Sequence, residues 1–177
     1  PVVGCGVLSS ALCMDKDRAH RLVSLAGIAV PRSVTFKQTE TAEAVCSIID
    51  TLRFPVFVKP VRAGSSFGIT RVTKPEQLLD AVRLAFRHDD EVIAEEAIEG
   101  FEVGCAVLGT DELTVGRVDE IELSGGFFDY TEKYTLKTSQ IHMPARIDAE
   151  TERRIQETAK RSTGHWAVRA LHGWICS

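Results

Sequence analysis

Phe57-Val58-Lys59-Pro60-Val61-Arg62-Ala63-Gly64-Ser65-Ser66-Phe67-Gly68 begins as an apolar, β-prone run and reaches a lysine. It then breaks at proline into a loop of small residues and hydroxyls. Gly64 and Gly68 permit conformations closed to other residues, so backbone N–H groups of the loop can approach phosphate oxygens. Lys59, at the end of the strand, supplies a point charge for the same phosphates. Neither common nucleotide signature is present: there is no G-x-x-x-x-G-K-[ST] and no G-x-G-x-x-G opening a helix. Taken alone, the segment reads equally as a phosphate cradle or as a plain glycine-serine turn after a core strand.

Hydrophobic periodicity sets regular elements on both sides of this loop. Upstream, 14–26 reads as a helix with Asp15 as N-cap and Gly27 in the C′ position. A strand over 33–36, a helix over 41–52 and a buried strand over 55–59 follow. Downstream, 68–72 alternates as a strand, and Pro75 opens a helix that runs to His88. A strand over 92–97 ends in the acidic pair Glu95-Glu96. Segments 101–108 and 113–123 read as antiparallel neighbours joined through Gly109-Thr110-Asp111. The polar stretch 125–139 is too long for a simple turn, and such loops are usually functional or disordered. A strand over 141–145 and a helix from Asp148 to Lys160 complete the pattern, which indicates an α+β or α/β protein of two lobes.

With 177 residues, 44% hydrophobic and 26% charged, the chain has the composition of an ordinary globular protein. A net charge of −4 and the lack of a basic stripe argue against nucleic acid as a partner. No apolar run approaches the ~18 residues of a membrane span. Pro1-Val2-Val3-Gly4-Cys5-Gly6 has neither an initiator Met nor a basic n-region, and reads as a cut inside a gene rather than a signal peptide. Five scattered cysteines without a C-x-x-C pair suit reduced core thiols and a cytoplasmic setting. The histidines show no metal-ligand spacing, and His20 and His88 fall on charged helix faces where solvent exposure is the default.

The character changes after Lys160. Residues 161–177 hold both tryptophans, two of the five histidines, two arginines and no acid. Such a segment reads as a short amphipathic tail or as a shifted reading frame. Back-translating from Lys160 and starting each codon at the third base of the present one permits Ala-Ile-Tyr-Arg-Ala-Leu-Gly-Cys-Ser-Gly-Phe-Ala-Arg-Val-Asp-Met-Phe. The Leu and Gly around His165-Trp166 and the Asp across Trp174-Ile175 are forced. That hidden sequence continues the helix, closes it with Gly and gives a strand bearing Arg-x-Asp. A one-base deletion near codons 160–161 accounts for the tail, which should then carry no function.

Four separated motifs, in order, carry a family resemblance: Ser10-Ala11-Leu12-Cys13-Met14-Asp15-Lys16, Val58-Lys59-Pro60 with Arg62-x-Gly64-Ser65-Ser66-x-Gly68, Glu95 with Glu102, and Phe128-Asp129-Tyr130-x-x-Lys133-Tyr134. The chain resembles the D-alanine–D-alanine ligases of the ATP-grasp superfamily from Pro1 to Lys160. Its wording around Glu132-Lys133-Tyr134-Thr135-Leu136-Lys137 looks most like the vancomycin-resistance ligases that make D-alanyl-D-serine. The resemblance implies an α+β ATP-grasp fold of two α+β lobes, incomplete at both ends. Residues 1–15 would end the N-terminal lobe and form a hinge, 16–98 the central lobe, and 99–160 the start of the C-terminal lobe with its mobile loop 125–139. It implies ATP and Mg2+ as cofactors, D-alanine and D-serine (or a second D-alanine) as substrates, and a homodimeric parent enzyme.

By resemblance, Lys16 and Lys59 would neutralise the triphosphate while Gly64, Ser65, Ser66 and Gly68 form a lid over it. Glu95, Glu96, Ala97 and Ile98 would run beside adenine, and Glu102 would accept from the ribose hydroxyls. Ser65 and Tyr134 would orient the first substrate, with Lys133 in the same closing loop. An acidic residue of the N-terminal lobe and the later Glu and Asn that hold magnesium are not in this sequence, so no metal ligand is assigned and the 177 residues alone are expected to be inactive. Two other readings stay open: a non-catalytic nucleotide-binding remnant, and another ATP-grasp carboxylate–amine ligase.

Overall fold

The computed structural model describes residues 5–123, 139–165 and 172–176. In chain order the first elements are α1 (Val7–Met14), α2 (Lys16–Leu25), β1 (Ser33–Lys37), α3 (Ala42–Ile49), β2 (Val56–Pro60) and β3 (Thr70–Val72). A 3-10 turn (Pro75–Gln77) leads into α4 (Leu78–Ala85) and β4 (Glu91–Glu96). Then follow β5 (Glu102–Gly109), β6 (Leu113–Leu123), β7 (Ser139–His142), α5 (Ala149–His165) and β8 (His172–Cys176). Two compact units result: residues 14–20 with 30–99, and residues 1–13, 21–29 and 100–177.

The first unit is built on an antiparallel sheet in the order β1-β4-β2-β3. Successive side chains of a strand point to opposite faces, so the sequence of β2 divides itself. Val56 and Val58 are fully buried with Val92 and Ala94 of β4, in a core completed by Val45 and Ile49 of α3 and Ala81, Val82 and Ala85 of α4. Phe57 opposite Glu95 and Lys59 opposite Ile93 occupy the other face. α3 starts where Thr41 Oγ1 accepts from the Ala44 N–H at 3.2 Å, leaving its apolar stripe to set the packing.

The second unit carries the antiparallel sheet β7-β6-β5-β8. α5 lies over it, its Ala159 buried in a core with Val103, Cys105, Val107, Val118 and Ala145. Asp148 caps α5 as expected, its Oδ1 accepting from the Thr151 N–H at 2.9 Å. At the β5–β6 turn, Gly109 has φ +139°, and a side chain there would run into the Glu112 carbonyl, so only glycine fits.

Several expectations need correcting. α1 was not anticipated, and α2 begins at Lys16 rather than Met14 because Asp15 caps it, accepting from the Arg18 N–H at 2.9 Å. The strand expected over 141–145 is instead Ser139–His142, since Pro144 has no N–H to donate to a ladder. α5 continues past Lys160 to His165. β8 falls within the tail, pairing Val103 through Val107 with residues 176 through 172. Such pairing uses backbone groups alone and places no demand on which side chains the tail carries. Among the described residues, no helix is long and apolar enough to cross a membrane.

Candidate functional site

The face of β2 and β4 opposite the core collects charge. Lys59 donates to Glu95 Oε2, and its ammonium also sits 5.5 Å from the centre of the Phe57 ring. Glu95 is 4% exposed, and its second oxygen, Oε1, is buried with no hydrogen-bond partner. A carboxylate oxygen buried without a donor is unfavourable unless something fills the vacancy, and such atoms mark sites that a ligand completes. Glu96 does not share this site. One residue further along the strand, it turns to the other face, where it accepts from the Arg53 N–H at 2.9 Å and pairs with the Arg53 guanidinium at 3.5 Å. The N–H groups of Glu96 and Ala97 go to the carbonyls of Arg32 and Pro55, both at 2.9 Å, and the Ile98 side chain is exposed.

Lys16 opens α2 beside the exit of β2. Its ammonium donates to the carbonyls of Pro60 at 3.0 Å, Val61 at 3.2 Å and Ala63 at 2.7 Å, and so braces the root of the glycine-serine loop. Burial, seconded by repulsion from Lys59, lowers its pKa to about 8. The two ammonium groups therefore feel each other, but Lys16 spends its donors on the loop backbone. Arg62 anchors the loop from the other side: its N–H and guanidinium hold Asp89, and its guanidinium also pairs with Asp90. These hydrogen bonds raise the Arg62 pKa. They also outweigh the upward push of burial on Asp89, whose carboxyl is held well below the usual range.

The loop's conformation differs from expectation in one respect. Gly68 is left-handed at φ +69°, and a Cβ there would meet His88 at 2.6 Å and Pro60 at 2.9 Å. Gly64 is not left-handed; Ser65 (φ 52°) and Ser66 (φ 59°) are. Left-handed non-glycine residues cost about 1–3 kcal/mol each and cluster where a ligand is held. Successive backbone N–H groups in such turns form anion-binding concavities.

A further participant was missed. His20, expected in solvent, is half-buried one turn after Lys16 on α2, with Nε2 3.7 Å from Glu95 Oε1. The i,i+4 spacing from Lys16 was the available signal, since it puts both side chains on one helix face. His88 is exposed as expected. Glu102 opens β5 in the second unit. Lys133 and Tyr134 lie outside the described residues, as does most of loop 125–139.

These groups suit a nucleotide. An ammonium, a loop with two left-handed serines and a buried acceptor without a donor are the kinds of group that a triphosphate tail and a base or sugar edge can meet. Among the described residues no three His, Cys, Asp or Glu side chains are grouped so as to hold a metal ion. Residues 22–172 match the family model described as the D-ala D-ala ligase C-terminus. The chain belongs to the D-alanine–D-alanine ligase family. It aligns with the crystal structure of VanG D-Ala:D-Ser ligase from Enterococcus faecalis at TM-score 0.89 and 65% identity, covering 99% of this chain and 51% of that one. The vancomycin B-type resistance protein VanB of Enterococcus faecalis is 47% identical over 91% of this chain and 47% of its own length. A putative D-alanine–D-lactate ligase of Streptomyces coelicolor is 46% identical over 90% of this chain and 46% of its own length. The resemblance read from the four motifs and the ATP-grasp α+β fold are both borne out. The chain spans about half the length of the relatives it matches.

Proposed function

We propose that this chain is the nucleotide-binding portion of an ATP-dependent ligase that joins D-alanine to D-serine for peptidoglycan precursors under vancomycin. The observation that carries the reading is the Lys59–Glu95 pair, with one buried carboxylate oxygen open beside a loop whose Ser65 and Ser66 are left-handed. ATP supplies the phosphoryl group that turns the first D-alanine's carboxylate into an acyl phosphate, which the amine of the second substrate then attacks, releasing phosphate. Lys59 would bind the phosphate chain, with Lys16 holding the root of the loop in register for it. Gly64, Ser65, Ser66 and Gly68 would close over the phosphates, and Ser65 would also orient the first substrate. Glu95, Ala97 and Ile98 would line the base, and Glu102 would take the ribose hydroxyls. Glu96, occupied by Arg53, contributes through its backbone. Lys133 and Tyr134 would complete the closure against water.

The VanG likeness, at 65% identity, favours D-serine as the second substrate. D-Ala–D-Ala ligation is the alternative. The parent enzyme would work in the cytoplasm as a homodimer. The test has two parts. Calorimetry of the 177-residue chain with ATP at pH 7.5 should show binding, and no heat at millimolar ATP would remove the nucleotide reading. The full-length enzyme should then release phosphate with D-alanine plus D-serine faster than with D-alanine alone or with D-lactate, and the reverse order would reassign the second substrate.

A further inference from the structure

One polar group in the site has no role in the reading above. His20 projects from α2 toward Glu95, with Nε2 3.7 Å from Oε1. Its other ring nitrogen, Nδ1, is buried without a hydrogen-bond partner, and so is the Glu95 Oε1 that Nε2 approaches. The other Glu95 oxygen is committed to Lys59. Glu95 Oε1 thus has an imidazole edge, Nε2, 3.7 Å away and no hydrogen bond, and the charge on the imidazole decides whether the two pair. At 3.7 Å an uncharged imidazole makes no hydrogen bond to the carboxylate, whereas an imidazolium would be drawn onto it.

We propose that His20 is a positioning residue of the nucleotide site: uncharged, it leaves Glu95 Oε1 open to a donor on the nucleotide, and protonated it takes that oxygen for itself and weakens nucleotide binding. The inference rests on the nucleotide reading given above. The charged groups around the imidazole set when the exchange happens. Glu95 on β4 and Asp17 on α2 favour the proton, while Lys59 on β2 and Lys16 on α2 oppose it. Burial is the largest influence and lowers the pKa below the ordinary 6.5, so His20 is neutral at pH 7. A ligand that needs the open oxygen binds the neutral form, and by linkage its affinity must fall as pH drops through the histidine's pKa.

The experiment is calorimetric titration of the whole chain with ATP from pH 5.5 to 8, for the wild type and for His20→Gln. Glutamine keeps polarity but cannot gain a charge, and ionisation of ATP itself cancels between the two proteins. The wild type should lose roughly threefold to tenfold more affinity than His20→Gln as the pH falls from 7.5 to 5.5 and the imidazole takes up its proton. Imidazole carbon-13 shifts provide a second readout: saturating ATP should lower the His20 titration midpoint. Identical pH profiles for the two proteins, or a midpoint that ATP leaves in place, would overturn the inference while leaving the nucleotide site intact. Absence of ATP binding at pH 7.5 would remove both together.

Discussion

Breaking the Lys59–Glu95 pair should destabilise the first unit far more through the lysine than through the acid. The Lys59 side chain is 20% exposed and that of Glu95 only 5%. Replacing Lys59 with methionine leaves Glu95 with both oxygens unpaired in a nearly dry site, because Oε1 already has no partner. Removing one member of a buried pair costs 3–5 kcal/mol in general, and partial exposure of the lysine reduces the figure here to about 3 kcal/mol. Glu95→Gln removes the charge that needed compensation and leaves an ammonium with some access to water, at about 1 kcal/mol. The double variant should therefore lose about 2 kcal/mol less than the two single losses added together. Because the chain folds as two units, global unfolding would mix their transitions. Native-state hydrogen exchange of the β2 and β4 amides reads the relevant unit directly. A Lys59→Met loss under about 0.5 kcal/mol, or strict additivity in the double variant, would show that Glu95 is solvated and that the open oxygen is no vacancy.

Three further outcomes follow from other parts of the molecule. Thr163 is 1% exposed and its hydroxyl has no partner, although Ser162 next to it bonds the Thr158 carbonyl at 2.8 Å. Thr163→Val should therefore stabilise the second unit by about 1 kcal/mol, raising its thermal midpoint by roughly 4–8 °C, and a lower midpoint would mean that the hydroxyl is satisfied. Resequencing the gene should restore one base near codon 160. The restored frame permits isoleucine at position 162 and tyrosine at position 163, two positions that are buried here (8% and 1% exposed), and an unaltered DNA sequence would remove the shifted-frame account. Glu120 is held down to about pKa 2 by hydrogen bonds from Arg146. Since its folded pKa is depressed, the stability it lends is whole above the unfolded value near 4.5 and drains away as pH falls toward 2. Arg146→Met should flatten the second unit's stability between those pH values, as read by acid titration of its circular dichroism.

The loop between β2 and β3 shows where local reading stops. Its glycines, serines and preceding lysine marked a turn after a core strand, because loop chemistry is written in consecutive residues. Which of them takes the left-handed conformation was misjudged: Ser65 and Ser66 carry it, and Gly64 does not. Gly68 is required by two neighbours, His88 and Pro60, that no rule about adjacent residues could have named. In the same way the family resemblance gave Lys16 only a phosphate role, and its use as a brace on three carbonyls emerges only when residues some 45 positions apart meet.

Sequence alone determined the elements whose causes are local: the caps at Asp15 and Asp148, the strand that carries Val56 and Val58 into the core, and the ordered motifs that mark the family. Tertiary structure decided how the charges are shared. Antiparallel pairing of β2 with β4 brings Lys59 to Glu95 across 36 positions and sends Glu96 to Arg53, and the docking of α2 sets His20 against a carboxylate oxygen left open. Capping and periodicity act over a few residues, whereas electrostatics and desolvation depend on distances that exist only once the chain has folded.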